Sequence, residues 1–351
     1  MISRRALNRA TLARQLLLRK HTMPALEAVE HLVGLQAQAP FPPYFGLWCR
    51  LSGFRPQELA ELLTERQVVR IVLMRGTVHL VSAADCLWLR PLAQPMLTRT
   101  FQSVYAARLA RVDQDAVVKA GLELLREGPM TAAALGTALA GAFPGAAADL
   151  SQILRSLVAL VQVPPRAVWG ETGQTAYVTA EAWLERELHA SPSLEELVLR
   201  YLRAFGPATV ADVQAWSGLT GLREVVDRLR PQLVMLSDTV FDLPDAPRPD
   251  EDTPAPVRLL APFDNLLLSH ADRTRVISDE HRKRVITING QVHGTLLVDG
   301  FVHGIWKRDK AVVTIEPFAP LTDAQAEQVH AEAAELLEFA EPGKAHQIRG
   351  V

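Results

Sequence analysis

The chain repeats one pattern three times, and that repeat limits its fold more than any other feature. Segments with apolar residues at helical spacing over 5–19, 25–36 and 56–65 precede two β-rich runs, 68–74 and 77–82, split by Arg75-Gly76. The same order returns with helices expected at 114–126, 131–140 and 147–161 before a strand–turn–strand stretch at 167–178. It returns again with helices at 193–205, 209–217 and 221–230 before 233–243. The phrases Arg126-Glu-Gly-Pro-Met-Thr and Arg203-Ala-Phe-Gly-Pro-Ala-Thr punctuate the second and third copies alike: glycine ends a helix, proline turns the chain, threonine caps the next helix. Three helices and a β-hairpin make the winged helix-turn-helix plan. A period of roughly 75 residues fits duplicated modules better than a solenoid.

The expected fold is therefore α+β and mostly helical, with three tandem winged helix-turn-helix modules forming a cradle and a β-rich C-terminal unit. Boundaries are placed at 1–111, 112–190, 191–250 and 251–351. Residues 245–256 carry four prolines and four acids and read as a linker. Beyond them an Asp299-Gly300 turn between apolar runs signals a hairpin, and an acidic helix near 322–340 closes the chain. Two cysteines, Cys49 and Cys86, support neither a disulfide framework nor a four-cysteine zinc site. No apolar run reaches the ~18 residues of a membrane span, and no signal-like segment follows the basic start. The expectation is a cytoplasmic, nucleoid-associated monomer without metal or cofactor.

Charge is unevenly distributed. Residues 1–111 carry 15 Lys+Arg against 6 Asp+Glu, a balance of +9, while the remainder balances at −11. Arginine codon bias accounts for an excess of arginine, but not for its position. A basic N-terminal surface is what a polyanion requires. Winged helices commonly read DNA, so a transcription regulator or architectural protein is one reading. Three copies without a coiled-coil dimerisation segment suit a cradle around a duplex, and a cradle suits an enzyme.

Gly34-Leu35-Gln36-Ala37-Gln38-Ala39-Pro40 is the most informative local motif. Within a helix, positions two apart point about 200° away from each other. Where the chain leaves the helix for an extended segment they can share a side, and Pro40, Pro42 and Pro43 favour such an exit. Gln36 and Gln38 then either project two carboxamides into one cavity or cap a helix end.

Taken with Arg75-Gly-Thr-Val-His-Leu-Val and Ala261-Pro-Phe-Asp-Asn-Leu-Leu-Leu-Ser-His-Ala-Asp-Arg, this motif resembles the AlkZ-like DNA glycosylases over nearly the whole chain. The Gln–apolar–Gln form marks the AlkZ branch, and a sister branch carries Gln–apolar–Asp. The resemblance implies three winged helices in a C-shaped molecule that excises bulky or crosslinked alkylpurines from double-stranded DNA, in base excision repair or self-resistance to genotoxic antibiotics. It makes Gln36 and Gln38 catalytic. It places Thr77 and His79 against the DNA backbone with Arg75 beside them, although His79 also fits a buried place under the wing. It further implies a hairpin near the C-terminus that probes the minor groove. Phe301, His303 and Lys307 are its candidates, and ordinary sheet positions are their other reading. Arg273, Arg275, Arg282, Lys283 and Arg284 form a second basic group, its arginines suited to phosphates.

The chemistry is consistent. A carboxamide is no strong base, but it offers an acceptor and two donors. An N7-alkylguanine or N3-alkyladenine is already cationic and departs as a neutral base, so a positioned water and dipolar stabilisation suffice. Lyase chemistry needs an amine, and no lysine lies between Lys20 and Lys119. A monofunctional enzyme is expected, the N-terminal amine being the remaining alternative nucleophile. Asp264, Asp272 and His270 are weak candidates for a carboxylate pair or a metal site.

Overall fold

The computed structural model describes residues 2–351. It is a mixed α+β structure whose contacts divide it into two compact units. One comprises the segments ending at Pro56, Glu195–Trp216 and Gly221–Val351; the other comprises Gln57–Leu194 and Ser217–Thr220. The boundaries expected at 111, 190 and 250 all fall inside these units.

The second unit shows how the local signals become structure. Val68–Val72 and Val78–Ser82 pair antiparallel from Val68↔Ser82 to Val72↔Val78. Arg75 and Gly76 turn the chain with φ of 56° and 70°. Arg70 and Ile71 also pair with Leu160–Val163, which pairs in turn with Ala176–Thr179. Met130–Thr131 joins the outer edge of that strand. The second hairpin thus starts earlier than the 167–178 expected. Ahead of it, helices Gln114–Arg126, Ala132–Ala140 and Ala147–Leu157 enclose Val117, Leu125, Leu135, Leu150 and Leu154. Gly121 allows the close approach: a Cβ there would lie 2.2 Å from Leu154 Cδ1.

The helix Ala83–Tyr105 had no counterpart in the sequence reading. It contains Pro91 and Pro95, residues that remove a helical hydrogen bond each. The carbonyl of Leu87, orphaned by Pro91, instead accepts the His189 backbone N–H at 2.9 Å. Ser82 caps the N-terminus through the Asp85 N–H.

In the first unit, strands Arg258–Leu260, Gly294–Val298, Phe301–Asp309 and Val312–Pro317 follow one another antiparallel. Gln347–Arg349 adds parallel at the edge. The closing helix Asp323–Ala340 begins with a Thr322–Gln325 capping box. Helices Leu194–Phe205, Val210–Ser217 and Arg223–Leu229 precede the short pair Val234–Met235 and Phe241–Asp242.

Arginines of the N-terminal third pass into this core. Arg9, Arg14 and Arg50 are buried in the first unit, and Arg70 and Arg90 in the second. Arg14 grips Asp242 through 2.6 and 2.7 Å contacts, both side chains fully buried. Arg5 and Arg9 converge on Asp299. Part of the N-terminal charge excess is therefore internal, because late-sequence aspartates neutralise Arg9, Arg14 and Arg50 inside the fold. Nor is 245–256 a loose linker. Arg14 donates to the Pro247 carbonyl at 3.3 Å, Arg9 to that of Thr253 at 2.6 Å, and Arg248 to those of Leu243 and Pro244.

Candidate active site

The glutamine motif is built by an abrupt helix end. The helix Ala25–His31 stops one turn before the expected Gln36. Val33 N–H donates to Glu30 O and Gly34 N–H to Val29 O, the paired bonds of a Schellman cap. Val33 and Gly34 have φ of 53° and 88°. A β-branched residue in the left-handed region is strained, and such strain persists only where its surroundings over-determine it. Here Asn265 supplies part of that hold, donating its side-chain amide to the Gly34 carbonyl at 3.2 Å.

Leu35–Gln36 then runs extended. Gln36 is only 7% exposed and lines a crevice with Pro42, Pro262, Phe263, Asp264 and Asn265. Its free volume of about 10 Å³ is close to the minimum for one water. Gln38, two residues on, is exposed. The two glutamines thus differ in setting: one is seated and the other stands on the surface. Pro42 and Pro43 do not extend the chain as expected. They open the helix Pro42–Trp48, where proline's missing N–H costs nothing.

The opposite wall is fixed by a buried ion pair. Arg50 clamps both oxygens of Asp264 at 2.8 and 2.9 Å, and also donates to the Gly46 and Gln15 carbonyls. Asp264 further accepts the Leu266 N–H. Its carboxylate is therefore occupied and cannot serve as a free base. The other members of the weak acid set are also accounted for. His270 is buried against the Phe205 carbonyl and Asp272 caps the Thr274 N–H. No group of three metal-ligating side chains occurs among the described residues. Beside the crevice, sharing Pro42, Pro262 and Phe263 with it, lies a recess of about 420 Å³ faced by Phe45, Trp306 and Lys307.

The expected DNA contacts fare unequally. Thr77 and Arg75 are partly exposed, but His79 is fully buried. Its Nδ1–H donates to the Thr77 carbonyl at 3.0 Å, and its Nε2 faces the Arg75 guanidinium at 3.5 Å. Burial, reinforced by Arg75, lowers its pKa to about 3, so the ring is neutral. It braces the turn and offers no surface to a phosphate. Arg275 is also buried, donating to the Pro207 carbonyl at 2.7 Å. Arg273 is half-buried, and Arg284 is exposed but paired with Glu316 and stacked over Phe318.

Phe301, His303 and Lys307 do share one face of the strand Phe301–Asp309, by the two-residue period. The turn that precedes them is not a free probe. Gly300 is buried against Leu12, Asn8 and Arg9, and Asp299 is held by Arg5 and Arg9. The projecting turn is a different one, spanning Thr287–Gly290 below the Ile286↔Val292 bridge. Its Ile288 is entirely exposed. The Asn289-Gly290 dipeptide was the signal that could have located it. The N-terminal amine, the alternative lyase nucleophile, lies outside the described residues.

The class of protein, a DNA glycosylase, is given by its family. The family profile described as "DNA glycosylase AlkZ-like" matches residues 29–339, and the chain belongs to that family. The family membership sets aside the reading as a non-catalytic binding protein. Among solved structures, the Streptomyces sahachiroi DNA glycosylase AlkZ is similar, with 20% identity, a TM-score of 0.81 and complete coverage of both chains. No curated protein matches. No helix is long and apolar enough to cross a membrane among the described residues.

Proposed function

We propose that the enzyme is a monofunctional glycosylase for cationic alkylpurines, N7-alkylguanine or N3-alkyladenine, in double-stranded DNA. One observation carries this: the crevice at Gln36 holds carboxamides, and its only carboxylate, Asp264, is clamped by Arg50. A site without a free base suits a leaving group that needs no activation. The C1′–N bond breaks, its electron pair neutralises the departing cationic purine, and a water adds to C1′ and releases a proton to solvent. Gln36 holds that water in the small crevice, and the exposed Gln38 meets the sugar or its phosphate.

The winged-helix reading supports a duplex partner. In two of the copies the residues after the Gly-Pro turn pair with the last strand, Met130↔Tyr177 and Ala208↔Phe241. The Thr287–Gly290 turn adds a wedge: an apolar Ile288 near Arg282, Lys283 and Arg284 has the composition of a minor-groove intercalating tip. Bulky adducts and crosslinks extend the proposed range.

Single-turnover release from duplexes carrying N7-methylguanine tests the proposal. Gln36→Ala and Gln38→Ala are each expected to slow release by roughly 10²-fold or more. Gln38→Ala leaves melting temperature unchanged, whereas Gln36→Ala lowers stability by about 1 kcal/mol because Gln36 is buried. Gln38→Asp retains activity on the cationic base. Borohydride should trap no adduct. Wild-type rates in both alanine variants would refute the assignment.

A further inference from the structure

The first unit holds a second cavity, larger than the recess near Gln36 and bordered by neither glutamine. Its volume is about 870 Å³, within the range of small-molecule sites. It opens where the chain leaves the helix Arg4–Arg14, and its far wall is the proline-rich strap 243–254.

We propose that this cavity binds a small organic anion with an apolar body, such as an aromatic sulfonate, carboxylate or phosphate ester. Its floor and walls are apolar: Leu16, Leu18, Leu243, Pro244 and Ala246 line it. Its charges are mainly positive. Arg19 and Arg203 both line it, both are exposed, and neither has an acid within ion-pair distance among the described residues. Arg14 and Arg248 already share Asp242, so that cluster keeps a surplus of one positive charge. Asp245, on the strap, is the single acid of the lining. His21 and His31 add polar, uncharged surface; His31 Nε2 donates to the Arg14 carbonyl at 2.6 Å.

The cavity is preorganised, which separates it from a gap under a loose loop. The strap is pinned from inside by Arg9, Arg14 and Arg248 through the carbonyls of residues 243, 244, 247 and 253. A rigid wall lowers the ordering cost of ligand binding. Unpaired guanidinium groups over an apolar floor recognise an anion whose body is itself apolar. This inference does not depend on the glycosylase reading.

Fluorescence titration of the full-length protein with anilinonaphthalene sulfonate tests it, melting temperature being recorded for every variant. Saturable binding of one equivalent is expected. Arg19→Ala and Arg203→Ala should each weaken it about tenfold, the usual scale for one charge-assisted contact. Ala246→Trp should abolish it by filling the space. Should that variant misfold, the arginine variants still decide. Absence of saturable binding, or affinity unchanged in both arginine variants, overturns the proposal. A competition arm separates the other source of phosphate: displacement of the probe by an undamaged duplex would make this cavity part of the DNA surface and overturn the small-ligand assignment.

Discussion

Two tight turns of the C-terminal region have nearly the same sequence chemistry and opposite fates. Asp299-Gly300 and Asn289-Gly290 are both hairpin dipeptides. The first is sunk against the helix Arg4–Arg14, its carboxylate held by two arginines and its glycine packed on Leu12. The second stands free, with Ile288 entirely exposed and open space where a Gly290 side chain would begin. Local sequence makes a turn; what the rest of the chain brings to it decides whether the turn is a structural anchor or an available tip.

The contrast can be broken most forcefully at Arg9. Its side chain is fully buried, so Arg9→Ala removes a partner from Asp299 and from the Thr253 carbonyl. A loss of about 2–4 kcal/mol in urea unfolding is expected, from the cavity left by a fully buried side chain and the Asn8, Asp299 and Thr253 oxygens that lose its hydrogen bonds. A loss below about 1 kcal/mol would show that the anchored turn is not anchored by charge.

The glycines give a matched pair. Both have left-handed φ, 79° at Gly300 and 73° at Gly290. At Gly300 a Cβ would also lie 2.5 Å from Leu12 Cδ1, whereas at Gly290 it meets nothing within 4 Å. Gly300→Ala should cost about 3 kcal/mol, combining backbone strain with overpacking. Gly290→Ala should cost about 1 kcal/mol, from strain alone. Equal costs in thermal denaturation would erase the distinction.

Function should divide the other way. Ile288→Asp is expected to change stability by no more than about 0.5 kcal/mol, as exposed positions do. It should slow single-turnover base release, by about tenfold for loss of an unstacking wedge. Unchanged release would remove the tip from the DNA contact.

The smallest effect is pH dependence. Partial burial opposes ionisation of Asp299, but the Arg5 and Arg9 contacts outweigh it and hold its carboxyl below the ordinary 3.8. The folded value is below the unfolded one, so the stabilisation is complete above pH 3.8 and is lost as pH falls through the folded pKa. The gap in urea midpoint between the wild type and Asp299→Asn should therefore narrow only below pH 3.8. No acid occupies 286–293, so Gly290→Ala should show no such dependence.

Much of this was legible in advance where the determinant is local. The helix Gln114–Arg126, the hairpin turning at Arg75-Gly76 and the closing helix follow from periodicity and punctuation. The helix Ala83–Tyr105 did not, because the group that rescues it from Pro91 is the backbone of His189, far along the chain. Gln36 and Gln38 were recognisable as a motif, but their unequal burial depends on residues 262–265, which wall the crevice. Charge was least legible of all. A linear count shows excess arginine without showing that Arg9, Arg14 and Arg50 point inward.

Those inward arginines impose an order on how the protein comes into being. During synthesis the first fifty residues emerge carrying Arg9, Arg14 and Arg50, whose acid partners Asp299, Asp242 and Asp264 are more than two hundred residues away. Until the ribosome reaches them, these side chains can be sealed only at the cost of an unpaired buried charge. The intervening Gln57–Leu194 closes its contacts chiefly within its own span, so it is the part free to fold first. The N-terminal helix must wait, solvated and unsealed, for the last third of the chain. A nascent chain arrested before Asp242 should therefore protect 57–194 from protease while 4–14 stays cleavable, and arrest beyond Asp299 should protect both.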